Sequence, residues 1–217
     1  MKASEQTPVW LFLGIAAFLY QMPAAPNALE SPEPGAVRVL VAYYSLTGNT
    51  EKMAEAVVEG AKGVADVAIK LKRVEEVTKT DLEEADGIVL GCPTYFANIP
   101  GQMKLVIDDW NWKLKVDFTD KIGGAFATGG GQVGGKEHVV VSLLMFMLSN
   151  RMIVAGPLYR NNTTGSVWGE AGSAAMTGPL DLGVSSEELD GARRLGERIA
   201  TLAVKLREPR AAANGSL

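Results

Sequence analysis

VRVLVAYYSLTGNTEKMAEAVVEGA, residues 37–61, changes its hydrophobic period once, and that change decides the fold. Val37 to Tyr44 is a nearly unbroken apolar run, rich in β-branched and aromatic residues, as expected of a strand buried on both faces of a parallel sheet. From Thr50 to Val64 the apolar residues Met53, Val57, Ala61 and Val64 recur at helical spacing, with Glu51, Lys52, Glu55, Glu59 and Lys62 on the opposite face. Strand passes to helix through Ser45-Leu46-Thr47-Gly48-Asn49-Thr50, a loop made almost entirely of small hydrogen-bonding residues.

The same alternation continues downstream. Val67 to Leu71 reads as a second strand, and Asp86 to Cys92 as a third, fully buried one ending at Pro93. Pro100 is expected as the first residue of a helix through Met103, Val106 and Ile107. Ile122 to Thr128 reads as a fourth strand running into three glycines, followed by an apolar helix over Glu137 to Leu148 and a fifth strand over Met152 to Ala155. Ser185 with Glu188 forms a capping box, and Leu189, Ala192, Leu195, Ile199, Leu202 and Leu206 form the stripe of a last helix. Parallel strands need helical crossovers, so the class is α/β: a doubly wound five-stranded parallel sheet with helices on both faces.

The 217 residues suit one domain, expected over 37–207, with 208–217 a disordered tail. A net charge of -4 gives no basic groove for nucleic acid. One cysteine, Cys92, and one histidine, His138, exclude an internal disulfide and a multi-histidine metal site, so no metal is expected. Cys92, closing an apolar strand, reads as a buried hydrophobe rather than a redox thiol, and His138 as a helix-surface or packing residue. Residues 1–36 read differently: Val9 to Tyr20 is uninterrupted apolar sequence, followed by a Pro/Ala-rich linker. Twelve residues are too few to span a bilayer. The segment reads either as an export signal or anchor, or as a leader upstream of a start at Met22 before a cytoplasmic domain.

In an open parallel sheet, ligands bind beyond the carboxyl ends of the strands where the winding reverses. Three loops of unusual composition fall at such ends: Ser45 to Thr50, Pro93 to Ile99, and Thr128 to Gly135. The first offers hydroxyls, an amide and backbone N–H groups at a helix start, where unpaired donors and the macrodipole favour an anion. It has no lysine and no G-x-G-x-x-G spacing, which argues against nucleoside triphosphates and dinucleotide pyrophosphates. A terminal monophosphate held by neutral donors fits.

YYSLTGNTEKMAEAVVEGA, GCPTYFANIPGQMK, ATGGGQVGGKE and SSEELDGARRLGERIATLAVKL resemble the flavodoxin-like superfamily and, within it, the WrbA-type NAD(P)H:quinone oxidoreductases, over Val37 to about Leu206. The resemblance implies a flavodoxin-like sheet, FMN, a homo-oligomer (dimer or tetramer), and two-electron reduction of quinones by NAD(P)H. It implies that Ser45, Leu46, Thr47, Gly48, Asn49 and Thr50 hold the FMN phosphate. Pro93, Thr94, Tyr95 and Phe96 match a second flavin loop, with Tyr95 or Phe96 against the ring; Thr128, Gly129, Gly130, Gly131 and Gln132 match a third, whose backbone N–H groups face the ring.

Two departures stand out. The family's His-His-Gly-Met segment is Ser149-Asn150-Arg151-Met152 here, so the family histidine is absent, no catalytic residue is assigned, and Asn150 is only a substrate-proximal candidate. Trp168 stands where the family has another aromatic, either at the mouth of the site or in packing. Trp110 and Trp112 lie near where the family places an aromatic from a neighbouring subunit, or else form core contacts. Pro157 to Val184 carries few charges, which favours quinone reduction over the alternative, a flavodoxin-type single-electron carrier with an acidic docking face.

Overall fold

The computed structural model describes residues 35–159 and 169–207. Strands β1 (Val37–Tyr43), β2 (Val67–Arg73), β3 (Gly87–Pro93), β4 (Ile122–Gly129) and β5 (Ile153–Val154) lie in the order 2-1-3-4-5, all parallel. This is the flavodoxin-like arrangement, with its switch point between β1 and β3. Every residue of β4 is buried and β3 is buried up to Pro93, because helices cover both faces. The edge strand β2 is only half-buried and carries Lys70, Lys72 and Arg73, charges that blunt an open edge.

Side-chain alternation sends β1 residues to two separate cores. Val39, Val41 and Val89 pack with helices α1 (Asn49–Lys62) and α5 (Ser186–Leu206). Leu40, Ala42, Ile88 and Leu90 pack with α2 (Lys79–Glu84), α3 (Gly101–Trp112) and α4 (Lys136–Ser149). The α1–α5 layer is tight because Gly60 and Gly196 lack side chains: a Cβ on Gly196 would overlap the Val57 carbonyl, and one on Gly60 the Arg193 carbonyl.

Two expectations are revised. Pro100, at φ −55° and ψ 141°, precedes α3 as its N-cap rather than opening the helix. The fifth strand position is filled by two pieces: β5 pairs only with Ile122 and Gly123, whereas β6 (Ser173–Met176) takes up Phe126 to Gly129. The chain leaves the sheet at Gly156-Pro157, where proline offers no N–H, and passes so close on its return that a Cβ on Gly156 would overlap the Glu170 carbonyl.

Candidate functional site

All three donor-rich loops meet at the carboxyl edge of the sheet, and Thr128 is their junction. Its hydroxyl is 2.7 Å from that of Thr50 in the first loop, and its carbonyl accepts from the Thr94 N–H of the second at 2.7 Å. Thr50 and Thr128 are both buried, so their shared hydrogen bond is shielded from water.

The first loop turns through Gly48 at φ 91°, a left-handed conformation that a side chain would strain. Ser45 Oγ accepts from the Gly48 N–H at 3.1 Å, which closes the loop on itself. Behind it, the Arg73 guanidinium donates to the Ser45 carbonyl at 2.7 Å while stacked over the Tyr43 ring, whose hydroxyl donates to Glu51. Burial first, then the Glu51 carboxylate, pushes the Tyr43 phenol up to about 12, so it stays a donor. Arg73 lies at the end of β2, and only the parallel register of β2 beside β1 brings it to the loop.

The second loop is a tight hairpin: Tyr95 and Asn98 exchange both backbone hydrogen bonds around Phe96 and Ala97. Both tip residues have positive φ, at 50° and 61°, which costs of order 1 kcal/mol or more apiece for side-chain-bearing residues. Phe96 is fully exposed at the tip, whereas Tyr95 is half-buried edge-on against Tyr44. Of the two rings, Phe96 is therefore the free one. In the third loop Gly129 is buried and Gly130, Gly131 and Gln132 are exposed. Lys136, buried beneath them, donates to the carbonyls of Gly131 and Gln132 at 2.6 and 3.2 Å. Lys136 lies within the ATGGGQVGGKE segment, but nothing in that segment gave it a role; its stem packs so closely under Gly129 that a Cβ there would press on it at 2.9 Å.

Helix ends distinguish the site from the rest of the fold. Thr78 and Asp81 cap α2, and Ser185 and Glu188 cap α5, each by a reciprocal capping box. The two helices that follow the first and third loops, α1 and α4, start without any side-chain cap. Among the described residues, Thr94 Oγ1 is a buried side-chain oxygen with no hydrogen-bond partner. Uncapped helix starts, a neutral hydroxyl-lined loop and an orphaned threonine hydroxyl fit a phosphorylated, hydrogen-bonding ring system, and they fit FMN.

The remaining candidates lie elsewhere. Trp110 is buried against Phe118 and Phe146, the core alternative. Trp112 closes α3, about 18 Å of helix away from the second loop, and is 75% exposed with the Lys115 ammonium over its ring. Asn150 caps α4, its Nδ2 donating to the Phe146 carbonyl at 2.8 Å, just before β5 pairs with the first residue of β4. Both thus sit toward the amino ends of the strands and do not join the loops within one protomer. Trp168 lies outside the described residues. His138 is exposed on α4, and burial pushes the Cys92 thiol up to about 12, leaving it an inert hydrophobe.

A hydroxyl-lined loop opening the first helix at the switch point of a 2-1-3-4-5 sheet is the arrangement of a class, the flavodoxin-like FMN proteins. Residues 36–164 match the NADPH-dependent FMN reductase family, and the chain belongs to that family. It is 33% identical to an NAD(P)H dehydrogenase (quinone) of Geotalea daltonii, over 78% of this chain and 98% of that one. It is 36% identical to a flavodoxin of Aquifex aeolicus, over 75% and 85%. Among solved structures, a WrbA-like flavodoxin of Agrobacterium tumefaciens superposes with a TM-score of 0.61 at 23% identity, covering 79% of this chain and all of that one, which confirms the fold.

Proposed function

We propose that this protein uses FMN to reduce quinones by two electrons at the expense of NAD(P)H. The observation that carries this reading is Thr128, which ties the three loops into one donor-lined edge while the Thr94 hydroxyl remains unpaired. The relatives named NAD(P)H dehydrogenase (quinone) supply the reaction class. Bound at this edge, FMN supplies a two-electron relay between the nucleotide and the quinone.

The chain's own part is to hold, orient and shield. Ser45, Thr47, Asn49 and Thr50 hold the phosphate with uncharged donors, with Arg73 behind the Ser45 carbonyl adding positive potential. Thr94 and the backbone of Gly129, Gly130, Gly131 and Gln132 orient the ring. Leu46, Phe96, Val133, Leu180 and Leu182, all exposed on loops at this edge, form an apolar rim suited to a flat, poorly hydrated substrate. An acidic docking face for a protein partner would look different, which supports the enzyme over the single-electron carrier.

The exposed stripe of Val141, Met145 and Leu148 on α4, beside Leu105 and Trp112 on α3, supports a homo-oligomer in which a second copy brings Trp112 or Asn150 to the site. Among the described residues no helix is long and apolar enough to cross a membrane, and a cytoplasmic location accords with an NAD(P)H donor. The test is direct. Protein incubated with FMN and passed through gel filtration emerges yellow, and it consumes NADPH or NADH steadily once benzoquinone is added. A yellow protein that oxidises neither nucleotide would remove the enzymatic reading; a colourless one would remove the FMN site.

A further inference from the structure

The turn that follows β6 carries an acidic side chain to the phosphate loop. Asp181 Oδ1 accepts from Asn49 Nδ2 at 2.6 Å, and the side chains of Thr47, Thr177 and Lys52 lie close enough to stabilise its charge. Thr47 and Asn49 are two of the four side chains assigned above to the FMN phosphate. The position is built: Thr177 N–H hangs the turn on the Gly129 carbonyl at 2.9 Å, and Leu182 N–H closes it on the Thr177 carbonyl at 2.9 Å. Asp181 reaches the loop from a left-handed backbone, φ 54°, between Gly178 at 76° and Gly183 at 116°. Aspartate tolerates that region better than most residues.

Proton counting makes the contact competitive. Thr47 has a single hydroxyl proton, and when that proton is turned toward Asp181 it is not available to a phosphate, whereas the Asn49 amide can serve two acceptors. A carboxylate beside a phosphate dianion is also a like-charge contact. We infer that Asp181 is an internal anion competing with the FMN phosphate for Thr47 and Asn49, so that cofactor loading and release are governed by displacement of the Thr177–Gly183 turn. The inference rests on the FMN reading above and adds regulation to it. Hydrogen bonding from Thr47, foremost, holds the Asp181 carboxyl below its usual range, so the competitor is charged at neutral pH.

The experiment measures FMN and riboflavin dissociation constants by quenching of flavin fluorescence, at neutral pH, for wild type, Asp181→Asn and Asp181→Gly. Asparagine and glycine both accept the left-handed backbone, and glycine removes the carboxylate without adding a donor. Both variants should bind FMN roughly tenfold more tightly, the scale of one charge-assisted hydrogen bond released. Riboflavin, which lacks the phosphate, should bind all three alike. FMN affinity unchanged or weaker in either variant would overturn the inference, since Asp181 would then position Asn49 for the phosphate. Equal tightening of riboflavin would also overturn it, pointing to a looser turn rather than anion competition. Wild-type protein that binds neither flavin would remove the FMN reading itself, and this inference with it.

Discussion

Thr50 Oγ1 and Thr128 Oγ1 lie 2.7 Å apart although 78 residues separate them in the chain. Each is almost wholly buried, so neither hydroxyl can turn to water when its partner is removed. Thr50→Val or Thr128→Val alone should cost about 1–3 kcal/mol of apoprotein stability in urea unfolding. The double variant should cost less than the sum of the two, because it leaves no orphaned hydroxyl. Strict additivity would mean that the pair is not a hydrogen bond in solution.

Phe96 combines an unfavourable backbone with complete exposure. Phe96→Asn should relieve about 1 kcal/mol of strain and raise Tm by roughly 2–4 °C. The same change removes the apolar tip of the second loop, so KM for benzoquinone should rise several-fold. A Tm gain with unaltered quinone kinetics would show that the ring is not part of the substrate surface.

Gly196 and Gly101 make a matched pair, both helical, one crowded and one open. Gly196→Ala drives a methyl into the Val57 carbonyl and should destabilise the protein by about 3 kcal/mol or more, since two helix backbones must separate. Gly101→Ala meets open space and should be neutral or stabilising by up to about 1 kcal/mol. Denaturant midpoints of the two variants on either side of wild type would verify the contrast.

Asp81 is nearly inaccessible yet bonded to Lys72, Lys70 and Thr78. Burial pushes its carboxyl up, but hydrogen bonds from Lys72, then from the Thr78 backbone and Lys70, outweigh it and hold the group well below the usual carboxylate range. Its folded value is depressed, so its contribution is fully present above the unfolded value of about 3.9 and is lost as pH falls through the folded one. The stability difference between wild type and Asp81→Asn should therefore be largest at neutral pH and shrink below about pH 4. Urea midpoints at both ends of that range give the comparison; a pH-independent difference would contradict the assignment.

The elements of the fold were legible because each carries its own periodicity. The buried runs of β1, β3 and β4 and the stripes of α1 and α5 lie within a residue or two of where hydrophobic spacing put them. β5 falls inside the Met152 to Ala155 run, but β6 was not legible, because it is four residues long and is held by pairing to β4 rather than by any pattern of its own. In the site, the three loops were visible as departures from ordinary composition. Arg73, Lys136 and Asp181 were invisible, since a charged residue in a chain says nothing about which carbonyl or amide it will meet.

The alternation of strands and helices, and the hydroxyl-rich loop that opens the first helix, are written in the order of residues along the chain, because they depend on contacts between near neighbours. That Thr128 joins all three loops, that Trp112 and Asn150 sit at the opposite end, and that Asp181 reaches Asn49 from 132 residues away emerge from the folded chain alone. Those relations follow from parallel register and from the return of a long connection, which no local spacing encodes.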